Sequence, residues 1–248
     1  DADGVKIKVT VQAVGEGDAA SNMIADVDAG ADIFCFAQDQ LARLKSAGAL
    51  SEIVDPTLKQ EIINANVETS IAAASVGDAL VAYPITADNG YFMYYDKSVF
   101  PDETVLDDFD SLIAACEAAN KKIYFKCEDS AWYNAAFFMA TGCYSLWDTN
   151  KAGLFTGYED NYNSANGKLA LKEAYKLLKS PSFINDSECT TAFAADKEGK
   201  RSAAVCISGT WDYANAQREL GENLGATDLP SINVNGEAKH LGSFAGCK

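Results

Sequence analysis

Ala203-Ala204-Val205-Cys206-Ile207-Ser208-Gly209-Thr210-Trp211 is an apolar run that empties into a Gly-Thr-Trp turn. A continuous run of small and β-branched residues reads as a strand covered on both faces, as in parallel sheets packed between helices. Trp211 leaves that strand on a turn, where binding groups are commonly carried. It either packs a strand-helix junction or offers its ring at the sheet edge. Asp32-Ile33-Phe34-Cys35-Phe36 repeats the pattern and ends in the polar Ala37-Gln38-Asp39-Gln40. Both runs are expected as buried parallel strands, with a site beyond their carboxyl ends.

Outward from these runs, strand and helix signals alternate. Residues 7–11 (Ile-Lys-Val-Thr-Val) alternate as a strand, and residues 38–50 place Leu41, Leu44 and Ala47 at helical spacing before Gly48. Residues 57–74 carry a second helical pattern, 78–85 a strand closed by Pro84, and 90–95 another strand. A helix over 106–120 opens with acids, as a helix N-terminus prefers. Ser130 can cap a helix over 131–141 that Gly142 ends. Residues 165–180 form an amphipathic helix stopped by Pro181. The pattern is α/β throughout, without internal repeats.

Composition narrows the function. The chain has 248 residues, 48% of them hydrophobic, which is enough for one large domain or two smaller ones. Its 36 acidic against 20 basic residues give a formal charge of -16, a field that repels nucleic-acid backbones and anionic lipid. No run approaches the roughly 18 apolar residues of a membrane span, so no direct membrane insertion of this segment is expected. No charged and then apolar leader opens it, so an export signal has been removed or was never present. The seven cysteines, at 35, 116, 127, 143, 189, 206 and 247, include no C-x-x-C pair. They read as mostly buried thiols, with room for one disulfide.

His240 is the only histidine, which leaves no imidazole-built metal site, and no metal or cofactor is expected. It follows an Asn235-Gly236 hairpin signal and reads as an exposed strand edge. Asp26, Asp28 and Asp32 resemble part of a calcium loop but lack the closing bidentate Glu, so a solvated turn is favoured. Asp107-Asp108 and Glu128-Asp129 are adjacent carboxylates of the kind glycosidases pair, although neighbours in sequence do not converge on one bond without help from the fold. Phosphate-loop, dinucleotide and nucleophile-elbow signatures are absent. What remains is a set of aromatics and acceptors near strand ends, suited to the C–H faces and hydroxyl groups of a neutral sugar.

Five motifs then carry a resemblance: Asp32-Ile-Phe-Cys-Phe-Ala-Gln-Asp-Gln-Leu with Ser46-Ala-Gly-Ala-Leu; Val81-Ala-Tyr-Pro-Ile-Thr-Ala-Asp-Asn-Gly; Tyr94-Tyr-Asp-Lys; Phe193 with Gly199; and Ile207-Ser-Gly-Thr-Trp211. In this order the chain resembles bacterial ABC-transporter extracellular solute-binding proteins (family 1), of the maltose/maltodextrin-binding type. The resemblance implies a periplasmic-binding-protein-like fold of two α/β lobes with a hinge, which closes on a sugar in the interlobe cleft. It implies lobe 1 over 1–87, lobe 2 over 88–241, and the start of the return crossing over 242–248. Lobe 1 is then expected to be incomplete, lacking the family's first strand and its return.

By the same resemblance Phe36 is the first-lobe stacking aromatic and Asp39 a hydroxyl acceptor, with Gln40 standing where an Arg is common. Asp88 falls at the first crossing, Trp132 and Tyr133 are the second-lobe aromatic pair, and Trp211 follows Gly-Thr where the family has Gly-Pro. No residue is assigned to catalysis. The partners implied are a small-molecule carbohydrate and ABC permease subunits, with no nucleic acid, at an extracytoplasmic location that is periplasmic or lipid-anchored as a lipoprotein. Two other readings stand beside it: a glycoside-active enzyme using Asp39, Asp88 or Glu128-Asp129, and the same fold holding a peptide or polyamine.

Overall fold

A computed structural model describes residues 4, 6–150 and 155–243, which fall into two compact units. The first comprises the described residues up to Ala87 together with residues 149, 150 and 155, and the second Asp88–Asp148 with the described residues from Thr156 onward.

The first unit is mainly helical, with α1 (Glu16–Ala25), α2 (Leu41–Ser46), α3 (Pro56–Ala65) and α4 (Glu68–Ala73). β1 (Ser75–Val76) and β2 (Ala79–Leu80) form a small antiparallel hairpin. Asp55 starts α3 by accepting the N–H of Thr57 at 2.8 Å and of Leu58 at 3.0 Å, with Pro56 in the first turn. The helical pattern over 57–74 is broken at Asn66, whose Nδ2 donates to the Ile62 carbonyl at 2.8 Å and replaces the next backbone donor. Two small cores result, Ala20, Met23 and Leu44 beside Phe36, and Ile53, Ile62, Ala74 and Leu80.

Three strand expectations fail in this unit. Residues 7–11 and 32–36 are not strands, and the signal over 78–85 is reduced to Ala79–Leu80. Ile33 is 90% exposed, and Cys35, expected as a buried thiol, is exposed as well. The reason is that a strand exists only through its ladder. Among the described residues no strand pairs with either segment, and an extended backbone without a neighbour has nothing against which to bury alternate side chains.

The second unit is a sheet with helices on both faces. In chain order it holds β3 (Tyr91–Asp96), α5 (Phe109–Ala118), β4 (Lys122–Tyr124), α6 (Ala131–Ala140), the hairpin strands β5 (Ser145–Thr149) and β6 (Phe155–Asp160), and α7 (Ala165–Lys179). β7 (Phe183–Ile184), α8 (Cys189–Phe193), β8 (Ala203–Gly209), α9 (Tyr213–Leu220), β9 (Leu224–Thr227), β10 (Ser231–Val234) and β11 (Glu237–His240) follow. The five-stranded sheet has the order β7-β4-β8-β3-β9. β4 runs parallel to β7 and β8, whereas β3 is antiparallel to β8 and β9.

Strand alternation divides the core. Met93, Tyr95, Ile123, Val205 and Ile207 meet Leu112 of α5, Phe137 of α6 and Leu177 of α7 on one face. Tyr94, Tyr124 and Cys206 meet Ala192 and Phe193 of α8 and Ala216 and Leu220 of α9 on the other. β8, buried at every position, is the central strand that the Ala203-to-Ile207 run promised. Asp108 caps α5 through the Ser111 N–H at 2.8 Å, and Ser130 caps α6 through the Tyr133 N–H at 3.5 Å. Asn235 and Gly236, with φ of 55° and 94°, make the turn that pairs β10 with β11. His240 ends β11 exposed, its Nδ1 2.8 Å from the Leu229 carbonyl oxygen. Of the return crossing expected over 242–248, residues 244–248 lie outside the described residues.

Candidate functional site

The register of the sheet gathers the second unit's aromatics at one edge. β8 and β4 are parallel, so the turn after β8 and the segment from β4 into α6 leave from the same side. β3 is antiparallel, and its first residue Tyr91 pairs with Gly209, the last of β8. Asp88, just before β3, therefore lies at that edge too. Trp132 comes from the first turn of α6, and Trp211 from the 3₁₀ turn Thr210–Asp212.

Within this cluster the Trp132 and Trp211 ring centroids lie 6.0 Å apart, at 44°. Trp211 is 50% exposed and Trp132 half-buried, so the two offer ring surface to solvent. Beneath them Tyr91 holds Trp132 edge-on at 4.6 Å, and its hydroxyl donates to the Trp132 carbonyl at 3.1 Å. Burial pushes the Tyr91 phenol well above its ordinary value, so it remains a neutral donor. Tyr133, expected as a partner ring of Trp132, is only 7% exposed. Its ring sits 4.9 Å from both Tyr91 and Trp132, and burial raises its pKa against hydrogen bonds from Ser187 and Ser208. It supports the exposed rings from below and presents no face of its own. Consecutive helix residues point about 100° apart, so Trp132 and Tyr133 cannot share one outward side.

The Trp211 turn is held by three groups to which sequence reasoning assigns no role in the site. Thr210 Oγ1 donates to Asp88 Oδ2 at 3.2 Å, joining the β8 turn to the start of β3. The Tyr94 hydroxyl donates to the Gly209 carbonyl at 2.9 Å. Asp212, 3% exposed, accepts the Cys189 N–H at 2.7 Å and the Ser208 hydroxyl at 3.2 Å on Oδ2, and the Asn215 amide at 2.7 Å on Oδ1. Burial disfavours its charge, but the donors from Cys189, Asn215 and Ser208 outweigh burial and hold the carboxyl below the usual range. Thr210 was legible only as a departure from Gly-Pro. Nothing local in the sequence marks Asp212 as buried.

In the first unit Phe36 packs on the Ala20-Met23-Leu44 core with Phe34 at 5.6 Å. It lines an open, largely apolar groove of about 270 Å³ with Ile33, Leu50, Val81 and Ile85. Asp39 is exposed and accepts Gln40 Nε2 at 2.9 Å, while Arg43 Nη1 donates to Gln40 Oε1 at 2.7 Å. A guanidinium therefore stands one turn beyond the Gln at position 40.

The carboxylates singled out as possible enzymatic pairs each have a local setting. Asp108 serves as a helix cap, and Glu128 and Asp129 are exposed ahead of α6. The Asp26 turn is closed locally by the Ala29 N–H at 3.1 Å. Among the described residues no cluster of His, Cys, Asp and Glu is placed to hold a metal ion, and no helix is long and apolar enough to cross a membrane.

A family profile described as bacterial extracellular solute-binding protein matches residues 1–248. The chain belongs to that family. Among solved structures, one described as being with acarbose is 28% identical, with a TM-score of 0.76 over 97% of this chain and 60% of its own. The maltodextrin-binding protein MalE1 from L. casei BL23, without ligand, is 24% identical, with a TM-score of 0.74 over 99% of this chain and 61% of its own. The MalE1 likeness supports the fold alone. No curated protein matches the chain. The α/β architecture is thus periplasmic-binding-protein-like, and the chain spans about 60% of the length of these structures.

Proposed function

We propose that this solute-binding protein captures a sugar or oligosaccharide for an ABC importer, without catalysis. The observation that carries the reading is the Trp132–Trp211 pair, two partly exposed rings 6.0 Å apart at the carboxyl edge of β8 with the Asp88 carboxylate tied to the intervening Thr210. Rings of this kind take the apolar C–H face of a pyranose, and a carboxylate accepts its hydroxyl protons. Trp132, Trp211 and Asp88 are the proposed ligand groups of the second unit, and Tyr133 a support beneath them. Phe36 and Asp39 are the proposed ligand groups of the first unit.

Residues 1–87 as one lobe and 88–241 as the other are the proposed division, with an extracytoplasmic, lipid-anchored or periplasmic location. The structure with acarbose favours a glucose-based oligosaccharide as the first ligand to test. Calorimetry with maltose, maltotriose and acarbose, beside a polyamine and a tripeptide, decides it. Saturable binding of an oligosaccharide with no release of reducing ends supports the reading. Binding of the polyamine or peptide alone, or turnover of the sugar, overturns it.

A further inference from the structure

α7 carries a face that runs against the charge of the rest of the chain. Its four lysines stand with a single acid, Glu173. Lys176 is consumed by Glu173 at 2.6 Å and by Asp110 at 2.9 Å. Lys168, Lys172 and Lys179 form no ion pair among the described residues, and all three are exposed. The spacing of 168, 171, 172, 175 and 179 places them on one stripe of the helix with Leu171 and Tyr175, which are 57% and 54% exposed. Lys179 Nζ sits 4.6 Å from the Tyr175 ring centroid, so the aromatic already holds a cation. The buried face of the same helix, Ala170, Ala174 and Leu177, fixes the stripe outward.

In a chain of net charge -16, three lysines without an ion pair stand together around two exposed apolar side chains. Such a patch complements an acidic surface with apolar side chains of its own, where charge sets orientation and encounter rate and the apolar centre resists dissociation.

We propose that the Lys168-Leu171-Lys172-Tyr175-Lys179 face of α7 docks on an acidic extracytoplasmic surface of the importer's permease. This rests on the importer reading above. The full-length protein is titrated onto its importer in nanodiscs of neutral phosphatidylcholine, onto empty nanodiscs of the same lipid, and onto empty phosphatidylglycerol nanodiscs. The variants are K168E/K172E/K179E and Y175A, and sugar affinity is measured on each by calorimetry.

The expected result is importer binding that weakens as salt is raised, a loss of at least tenfold in the charge-reversed variant, a smaller loss in Y175A, and unchanged sugar affinity in both. Importer affinity that survives charge reversal overturns the proposal while leaving the sugar reading intact. So does binding to empty phosphatidylglycerol nanodiscs that matches binding to the importer, since the face then belongs to lipid. A protein that docks but binds no sugar refutes the carbohydrate reading alone.

Discussion

The ring of Trp211 fills the space that a Cβ on Gly209 would occupy. Gly209 has φ of -115°, so any residue could adopt its backbone. What the position excludes is volume. Gly209→Ala is expected to lift the ring off the end of β8, lowering sugar affinity at least tenfold and costing ~1–3 kcal/mol through overpacking. Calorimetry beside urea denaturation checks both, and unchanged affinity refutes the coupling of glycine to ring.

Trp211→Ala removes a ring that is already half in solvent. Stability is expected to move by less than about 1 kcal/mol. Affinity for an oligosaccharide is expected to fall by tenfold to a hundredfold, the equivalent of ~1.5–3 kcal/mol for an apolar side chain newly buried by ligand. A large drop in urea midpoint with unchanged affinity of the folded fraction would place Trp211 in the core instead.

How far the sequence alone reached is visible in these two residues. The run ending in Ile207 foretold a central strand and Trp211 at its exit, because a strand covered on both faces leaves a continuous apolar signature. The same signature at residues 32–36 misled, since apolar content sets what can be buried and the ladder decides whether a strand forms. Caps at Asp108 and Ser130 were legible because they depend on neighbours within one turn. Tyr133 as a support and Asp212 as a buried anchor were not, since both are defined by contacts with β3, β8 and α8, distant in the chain.

Asp212 should leave a mark in the acid limb of stability. Its carboxyl is held below the ordinary value of 3.8 in the folded protein. Its contribution is therefore complete above about pH 4, and is lost as the pH falls below that value and through the lowered folded pKa. Asp212→Ala strands the Cys189 N–H and the Asn215 amide, and is expected to cost at least ~2 kcal/mol at neutral pH. The difference from wild type should narrow below about pH 4. Urea midpoints from pH 2.5 to 7 test it, and a constant difference across that range would show that the charge is irrelevant.

Thiol chemistry should be selective. Of the six described cysteines only Cys35 is exposed, and burial pushes the Cys116 and Cys127 thiols up to about 12. Brief alkylation of the native protein at pH 8, followed by peptide mapping, should modify Cys35 and spare Cys116, Cys127, Cys143, Cys189 and Cys206. Full labelling under denaturing conditions is the control. Early modification of Cys189 or Cys206 would mean that the α8 face opens in solution.

The packing of Tyr91 and Tyr133 against Trp132, each within 5 Å, with Trp211 6.0 Å further on, also makes this edge of the sheet an optical device. Light absorbed by the two buried phenols passes to Trp132, and the emission of the indole pair depends on the water that touches it. Two of the chain's three tryptophans thus stand where a solute stacked as proposed would displace that water, and a shift in fluorescence colour on titration with an oligosaccharide is the expected sign of occupancy.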